Sequence, residues 1–278
     1  MKGFLDQAKS IGRRTLAVAV AAGAIGFAGA AYSDPINYIP PGSNFSIKFI
    51  DREIQIVRFG QELFGLFNIT QINSADGNTT FWNGNGGTDG TQLVGYFEGL
   101  ISGPDQTGTP TGISFHFGNL AIFDVPNGTY SPGTNPNTKD YLNQLCGGSA
   151  TCLANPWLTA NFVPGINDSL GPTGDATLQA VFATTNVNAG FGYLSVTGGA
   201  NSAFFDTNGF KFNNFPNADL FLRSNFVLAN PQTCAANSGW QVCSDDPIIG
   251  ARIPEPATLL LLGLGALALG AIRRNKAA

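Results

Sequence analysis

The sequence predicts an all-β body of antiparallel strands, folded as a β-sandwich or in jelly-roll form. Three observations predict it. Short apolar or strictly alternating runs recur along the chain, each closed by Gly, Pro, Asn or Asp, the pattern of strands separated by turns. No segment of helical period and ordinary helix length alternates with them, which argues against a βαβ sheet. The composition agrees, because 36 Gly and 22 Phe with only 12% charged residues suit a loop-rich extracellular β protein. Two packed antiparallel sheets give each such strand one buried face.

The expected elements run in chain order. Phe45, Ile47 and Phe49 alternate with Ser46 and Lys48, so residues 45–49 read as a half-buried strand. Runs at Glu53–Phe59 and Glu62–Ile72 come next. Residues 73–90 read as a polar, glycine-rich loop. Further strands are expected at Gln92–Ser102, Gly112–Phe117, Leu120–Val125, Trp157–Val163, Ala176–Thr184, Gly192–Thr197, Ala203–Phe205 and Asp219–Ala229. One short helix is expected at Thr138–Leu145, with Asn137 or Thr138 as N-cap. The like-charge pair Asp245-Asp246 before Pro247 reads as the start of a solvated linker.

Both ends of the chain break this pattern. Lys2, Lys9, Arg13 and Arg14 precede a wholly apolar stretch, Leu16 to Ala31, that closes on Ala28-Gly29-Ala30. That is the form of a secretory signal peptide, cut after Ala30 or Ala31. At the other end, Pro254-Glu255-Pro256 is followed by Ala257 to Ile272, in which Thr258 is the only polar side chain, and then by Arg273, Arg274 and Lys276. Pro254 and Pro256 fix φ, remove two backbone donors and bias the residues before them toward extended geometry. A helix beginning at Ala257 therefore cannot easily grow backwards, and an extended segment carrying one negative charge, Glu255, is left for a protease. The apolar run would form a transmembrane helix of about 24 Å, shorter than the roughly 20 residues usually needed to span. Arg273, Arg274 and Lys276 would hold its end on the cytoplasmic side.

The triplet, the short apolar run and the basic end together resemble the PEP-CTERM sorting signal of exported bacterial proteins. The resemblance covers only the tail, although Leu158–Gly165 and Gly192–Gly199 are similar to stretches in the bodies of other proteins that carry it. It implies processing near Pro254-Glu255-Pro256 by an exosortase, a separate membrane-embedded cysteine transpeptidase-like protease. It further implies transient anchoring in the inner membrane, and delivery to the outer surface or extracellular matrix of a Gram-negative cell. The secretion translocon and signal peptidase are the partners implied by the N-terminal end. Family context adds association with exopolysaccharide or biofilm matrix. The expected organisation is a signal peptide at 1–31, a β-sandwich body at 32–246, a linker at 247–253 and the sorting signal at 254–276.

Charge bounds what the body binds. Residues 31–256 hold seven Lys and Arg against 17 Asp and Glu, a net charge near −10. Nucleic acid is not an expected partner, because phosphate contact needs clustered cations. Export also bears on the cysteines. Cys146 with Cys152 and Cys234 with Cys243 are the local pairs among three connectivities, and an oxidising compartment favours disulfides.

Catalytic constellations are sparse. His116 is the single histidine, and alternation from Ile113 through Phe115 to Phe117 would turn it, with Ser114, to a wetter face. No Gly-x-Ser-x-Gly elbow accompanies it. A glycosidase needs two carboxylates flanking one bond, and Glu53, Glu62 and Glu98 are the candidates. Asp76 and Asp89, in the glycine-rich loop, could chelate Ca²⁺ with backbone carbonyls; otherwise no metal or cofactor is expected, and the plain reading of that loop is a hairpin connection. Trp82, Trp157 and Trp240 with Tyr96, Tyr130 and Tyr193 could stack on carbohydrate, though core packing accounts for most of them. The body is thus expected to be a non-enzymatic surface or matrix protein. The alternative is a secreted polysaccharide-binding or polysaccharide-active β-sandwich enzyme.

Overall fold

In the computed structural model, which describes residues 34–54, 60–84, 90–103, 112–132, 139–166, 176–181, 188–210, 217–228, 240 and 242–251, every strand pairing is antiparallel. The strands are β1 (Asn44–Ile54), β2 (Glu62–Ser74), β3 (Thr80–Asn83), β4 (Thr91–Ser102), β5 (Gly112–Pro126), β6 (Leu158–Val163), β7 (Leu178–Val181), β8 (Asn188–Gly198), β9 (Leu220–Leu228) and β10 (Val242–Ala251). β1 pairs with β10 on one flank and with β2 on the other. The sheet therefore closes on itself as an eight-strand barrel in the order β1, β10, β9, β8, β6, β5, β4, β2. This corrects the sandwich and jelly-roll expectation. Alternation shows that one face of each strand is buried, but two facing sheets and one rolled sheet require the same alternation.

β7 occupies the same barrel position as β6. Both lie between β5 and β8, β6 against Asn119 to Ile122 and β7 against Gly112 to Phe115. The chain leaves the sheet after β6 and re-enters it as β7. β3 pairs with the far end of β2.

Other elements differ from expectation for local reasons. β10 occupies residues read as linker, and it pairs with β1 from Asn44↔Ala251 to Glu53↔Val242. Its pairs with β9 stop at Ser244 and resume at Ile248, and Pro247, which lacks a backbone donor, lies in that gap. The runs at Gly112–Phe117 and Leu120–Val125 are one strand, β5, kinked where Phe117 (φ 65) and Gly118 (φ 102) take positive φ. Ala203–Phe205, read as a strand, belongs to a helical turn, Ser202–Phe205. The expected helix at Thr138–Leu145 is α1 (Tyr141–Gln144), with Asp140 as N-cap. A second, α2 (Ala150–Ala154), comes after it, its cap Ser149 accepting from Cys152 N at 3.2 Å; Ser202–Phe205 is then α3.

Phenylalanine fills the barrel, and glycine makes room for it. An eight-strand barrel is just wide enough for side chains to close it. Phe67 faces Gly95, Phe97 faces Gly65 and Phe45 faces Gly250 across adjacent strands. A methyl on Gly65 would stand 2.5 Å from Phe97 Cζ, and one on Gly250 would stand 2.8 Å from Phe45 Cζ. These rings thus lie over bare backbone. At the end where β1 begins, Phe205 of α3 plugs the interior, with ring centroids 5.3 Å from both Phe45 and Trp157.

A second apolar layer lies outside the barrel. Phe64 and Leu66 of β2, Val94 of β4 and Ala121, Phe123 and Val125 of β5 are buried beneath Leu145, Cys146 and Trp240. The segment carrying α1 and α2 forms a flap over this patch. Among the described residues no helix is long and apolar enough to cross a membrane. The expected signal peptide and the sorting helix both lie outside the described residues.

Candidate functional site

The flap is fastened to the barrel by one lysine and two glutamates. Glu62 begins β2, and Glu98 stands on the outer face of β4. Lys139, just before α1, places its Nζ 2.5 Å from Glu62 Oε1 and 3.1 Å from Glu98 Oε2. Glu62 Oε1 also accepts from Gly99 N at 2.7 Å. The Tyr141 hydroxyl donates to Glu98 Oε2 at 2.8 Å, and its ring stacks on Tyr96 with centroids 4.1 Å apart. The Lys139 ammonium also lies 5.1 Å from the centre of the Phe64 ring.

The electrostatics derive from this geometry. Burial works against the Lys139 ammonium, yet hydrogen bonds and charge from Glu62 and Glu98 outweigh it and hold its pKa above the ordinary lysine value. Burial, then the hydrogen bond to Glu98, pushes the Tyr141 phenol far above its usual value. Burial likewise raises Tyr130, which packs beneath the flap. The flap is closed within itself by a disulfide between Cys146 and Cys152.

Two of the three candidate carboxylates therefore meet, but on one ammonium. A glycosidase leaves room between its carboxylates for the bond to be cleaved; here Lys139 occupies the place between Glu62 and Glu98. Glu53 stands on β1 opposite Gly65. Lys139 and Tyr141 went unnoticed in the sequence because their glutamate partners lie 77 and 43 residues away.

The other candidates disperse. Asp76 sits in an exposed turn, accepting from Ser74 Oγ at 2.5 Å and from Asn78 N at 3.1 Å. Those bonds hold its carboxyl below the usual value. Asp89 lies outside the described residues. Among the described residues no group of three His, Cys, Asp or Glu gathers as a metal would require. Cys234 is outside them too, while Cys243 stands on β10 opposite Arg52. Trp82 and Trp157 belong to the barrel interior, and Trp240, Tyr96 and Tyr130 to the layer under the flap. Only Tyr193 joins an outer aromatic group, with Phe221 at 5.0 Å and Phe210 at 5.7 Å.

The expected face for His116 fails at Phe117. Phe115 points inward as alternation predicts, but Ser114 is buried rather than wet. The positive φ at Phe117 turns its ring outward, leaving it 72% exposed.

Fold and site together define a closed antiparallel barrel with a disulfide-closed flap on its wall, whose last strand ends at Ala251, three residues before Pro254. The residues beyond that strand identify the route the chain takes. Residues 252–275 match the PEP-CTERM protein-sorting motif, so the chain carries the signal of an exported protein sorted by an exosortase through a transient membrane stage toward the cell surface. No curated protein and no solved structure matched the chain.

Proposed function

We propose that the barrel is a non-enzymatic cargo, an exported surface or matrix protein that an exosortase releases or transfers at Pro254-Glu255-Pro256 and that associates with extracellular polysaccharide. The observation that carries this reading is the position of the sorting motif. It begins at residue 252, directly after the strand that closes the barrel ends at Ala251, so processing detaches a finished fold. The acidic body, near −10, suits solubility outside the cell. The convergence of Glu62 and Glu98 favours the enzyme alternative, but a substrate there would have to displace Lys139 from both carboxylates.

Fractionation of wild-type and exosortase-deleted cells, with mass spectrometry of both termini, tests the sorting reading. Wild-type protein should start near Ala31 or Tyr32, end near the Pro-Glu-Pro triplet and lie outside the inner membrane. The deletion strain should retain it there with Arg273 and Arg274 still attached. Identical termini and location in the two strains would overturn it.

A further inference from the structure

The sorting motif begins where the barrel stops, and the distance between them bounds what the processing enzyme must touch. Ala251 ends β10, and only Arg252 and Ile253 separate it from Pro254. Three trans Cα–Cα steps of about 3.8 Å reach about 11 Å at most, no more than the width of one helix with its side chains. An enzyme cannot hold Pro254-Glu255-Pro256 in its cleft at that distance without meeting the end of the barrel. The pairing of β10 shows which part of that end it meets. The last pair is Asn44↔Ala251, on the β1 side, whereas the pairs with β9 stop at Ile249↔Phe221. Asn44 O in turn accepts from Ala75 N at 3.2 Å, which draws the turn after β2 beside the exit. Two turns therefore border Ala251. In one, Ser43 N donates to Pro40 O at 3.1 Å around Pro41 and Gly42 (φ 77). In the other, the Asp76 carboxylate accepts from Ser74 Oγ at 2.5 Å and from Asn78 N at 3.1 Å.

We propose that this rim, residues 38–44 and 74–79, is the surface the barrel presents to the exosortase, and that the short tether forces the two into contact during processing. The proposal rests on the sorting reading above and names where on the body the enzyme bears. The chemistry of the rim suits a protein partner. Charged side chains are depleted at the centre of protein interfaces, where aromatic residues gather. In so acidic a body these two segments hold a single charge, Asp76, and it is already engaged by Ser74 and by Asn78, whose Nδ2 donates at 2.8 Å. Pro40, Pro41, Asn78 and Thr79 are exposed. Tyr38, which precedes the first turn, is one of three large apolar side chains exposed among the described residues. Hydrogen bonds and prolines already fix both turns, so contact requires little further ordering.

The test follows the full chain in cells by pulse labelling and reads the rate at which the segment carrying Arg273 and Arg274 is lost. Thr79→Glu adds a charge to the rim while keeping the backbone bond from residue 79 N to Ser74 Oγ, 2.9 Å long. Gln61→Glu adds the same charge at the opposite end, since exposed Gln61 precedes β2 and the rim turn follows it. Thr79→Glu should be cut at least about tenfold more slowly than wild type, the order of loss from an unpaired charge pressed into an interface. Gln61→Glu should be cut at the wild-type rate. A Gly/Ser insertion of about 16 residues after Ala251 spans about 20–24 Å and should remove the difference between Thr79→Glu and wild type, a rescue that a misfolded variant would not show. A photoreactive phenylalanine analogue at residue 78 should cross-link to an exosortase whose active-site cysteine is replaced, and the same analogue at residue 61 should not. Equal rates for all three short-tether proteins would overturn the contact, as would a slow Thr79→Glu that the insertion leaves slow, or cross-links from residue 78 only to lipid or another protein. Exosortase-dependent cutting of wild type would then still uphold the sorting reading. Cutting of wild type unchanged by deletion of the exosortase would bring down both.

Discussion

Gly95→Ala probes whether glycine is what lets the barrel interior hold so much phenylalanine. Gly95 stands opposite Phe67, which is fully buried. A methyl at residue 95 would run into the Phe67 ring, with Cε2 at 2.7 Å, and into the carbonyl oxygen of Ala121. The ring can turn a little, but the carbonyl belongs to β5 and moves only if the β4–β5 ladder moves. Overpacking a core costs about 1–3 kcal/mol, and the backbone obstacle places this variant near the upper end, about 3 kcal/mol. At roughly 2–4 °C per kcal/mol for a domain of this size, the melting point should fall by about 6–12 °C. Phe67→Ala alone should cost about 3–5 kcal/mol through the cavity it leaves. In the double variant the new methyl grows toward that cavity, so the combined loss should fall short of the sum by about 1–2 kcal/mol, a normal coupling for residues in contact. Urea unfolding of the exported protein and the three variants, followed by near-ultraviolet circular dichroism, measures all four corners. A Gly95→Ala variant within about 0.5 kcal/mol of wild type, the scatter of neutral substitutions, would refute the reasoning, as would strict additivity.

Three further outcomes are expected. Lys139 and Tyr141 both have folded-state pKa values above their ordinary ones, so the stability they give the flap is complete below about pH 10 and is lost as pH rises through the raised values. Limited proteolysis across residues 139–155 should therefore accelerate only at strongly alkaline pH, and a flap equally resistant at every pH would count against the latch. Replacing Cys146 and Cys152 by serine removes a short-loop cross-link worth about 2 kcal/mol in the chain-entropy model; the same cleavage should appear at neutral pH while the barrel stays folded, and unchanged resistance would show the disulfide to be idle. Changing Pro254-Glu255-Pro256 to three alanines lets a helix extend backward through the scissile segment, since alanine has the best helix propensity and proline the worst. The variant should stay in the membrane with its C-terminus intact, and release at wild-type length would sink the sorting assignment.

The sequence made individual strands legible and their closure illegible. Phe45, Ile47 and Phe49 lie inside as alternation requires, because a period of two reports which face is dry. It says nothing about which strand is the neighbour, so the pairing of β1 with both β2 and β10 could not be read. β10 was hidden by Asp245, Asp246 and Pro247, residues that disfavour a strand; the gap in pairing with β9 accommodates them. At Phe117 alternation failed because a single positive φ reverses a side chain, and nothing in Phe115-His116-Phe117 announces it. The tail was legible in full as a motif, since its signal is local composition at fixed spacing. The clasp at Lys139 was not, because it joins parts of the chain that only the fold brings together.

The place of β10 in the ring also has a mechanical side. Any pull on the chain beyond Ala251 would be transmitted into β10. At a free sheet edge such a strand could be stripped away one bond after another. β10 instead has β9 on one flank and is in register with β1 over ten positions on the other, so tension along it loads many backbone hydrogen bonds at once. Tension entering from the sorting motif would thus meet a strand that must slide rather than peel.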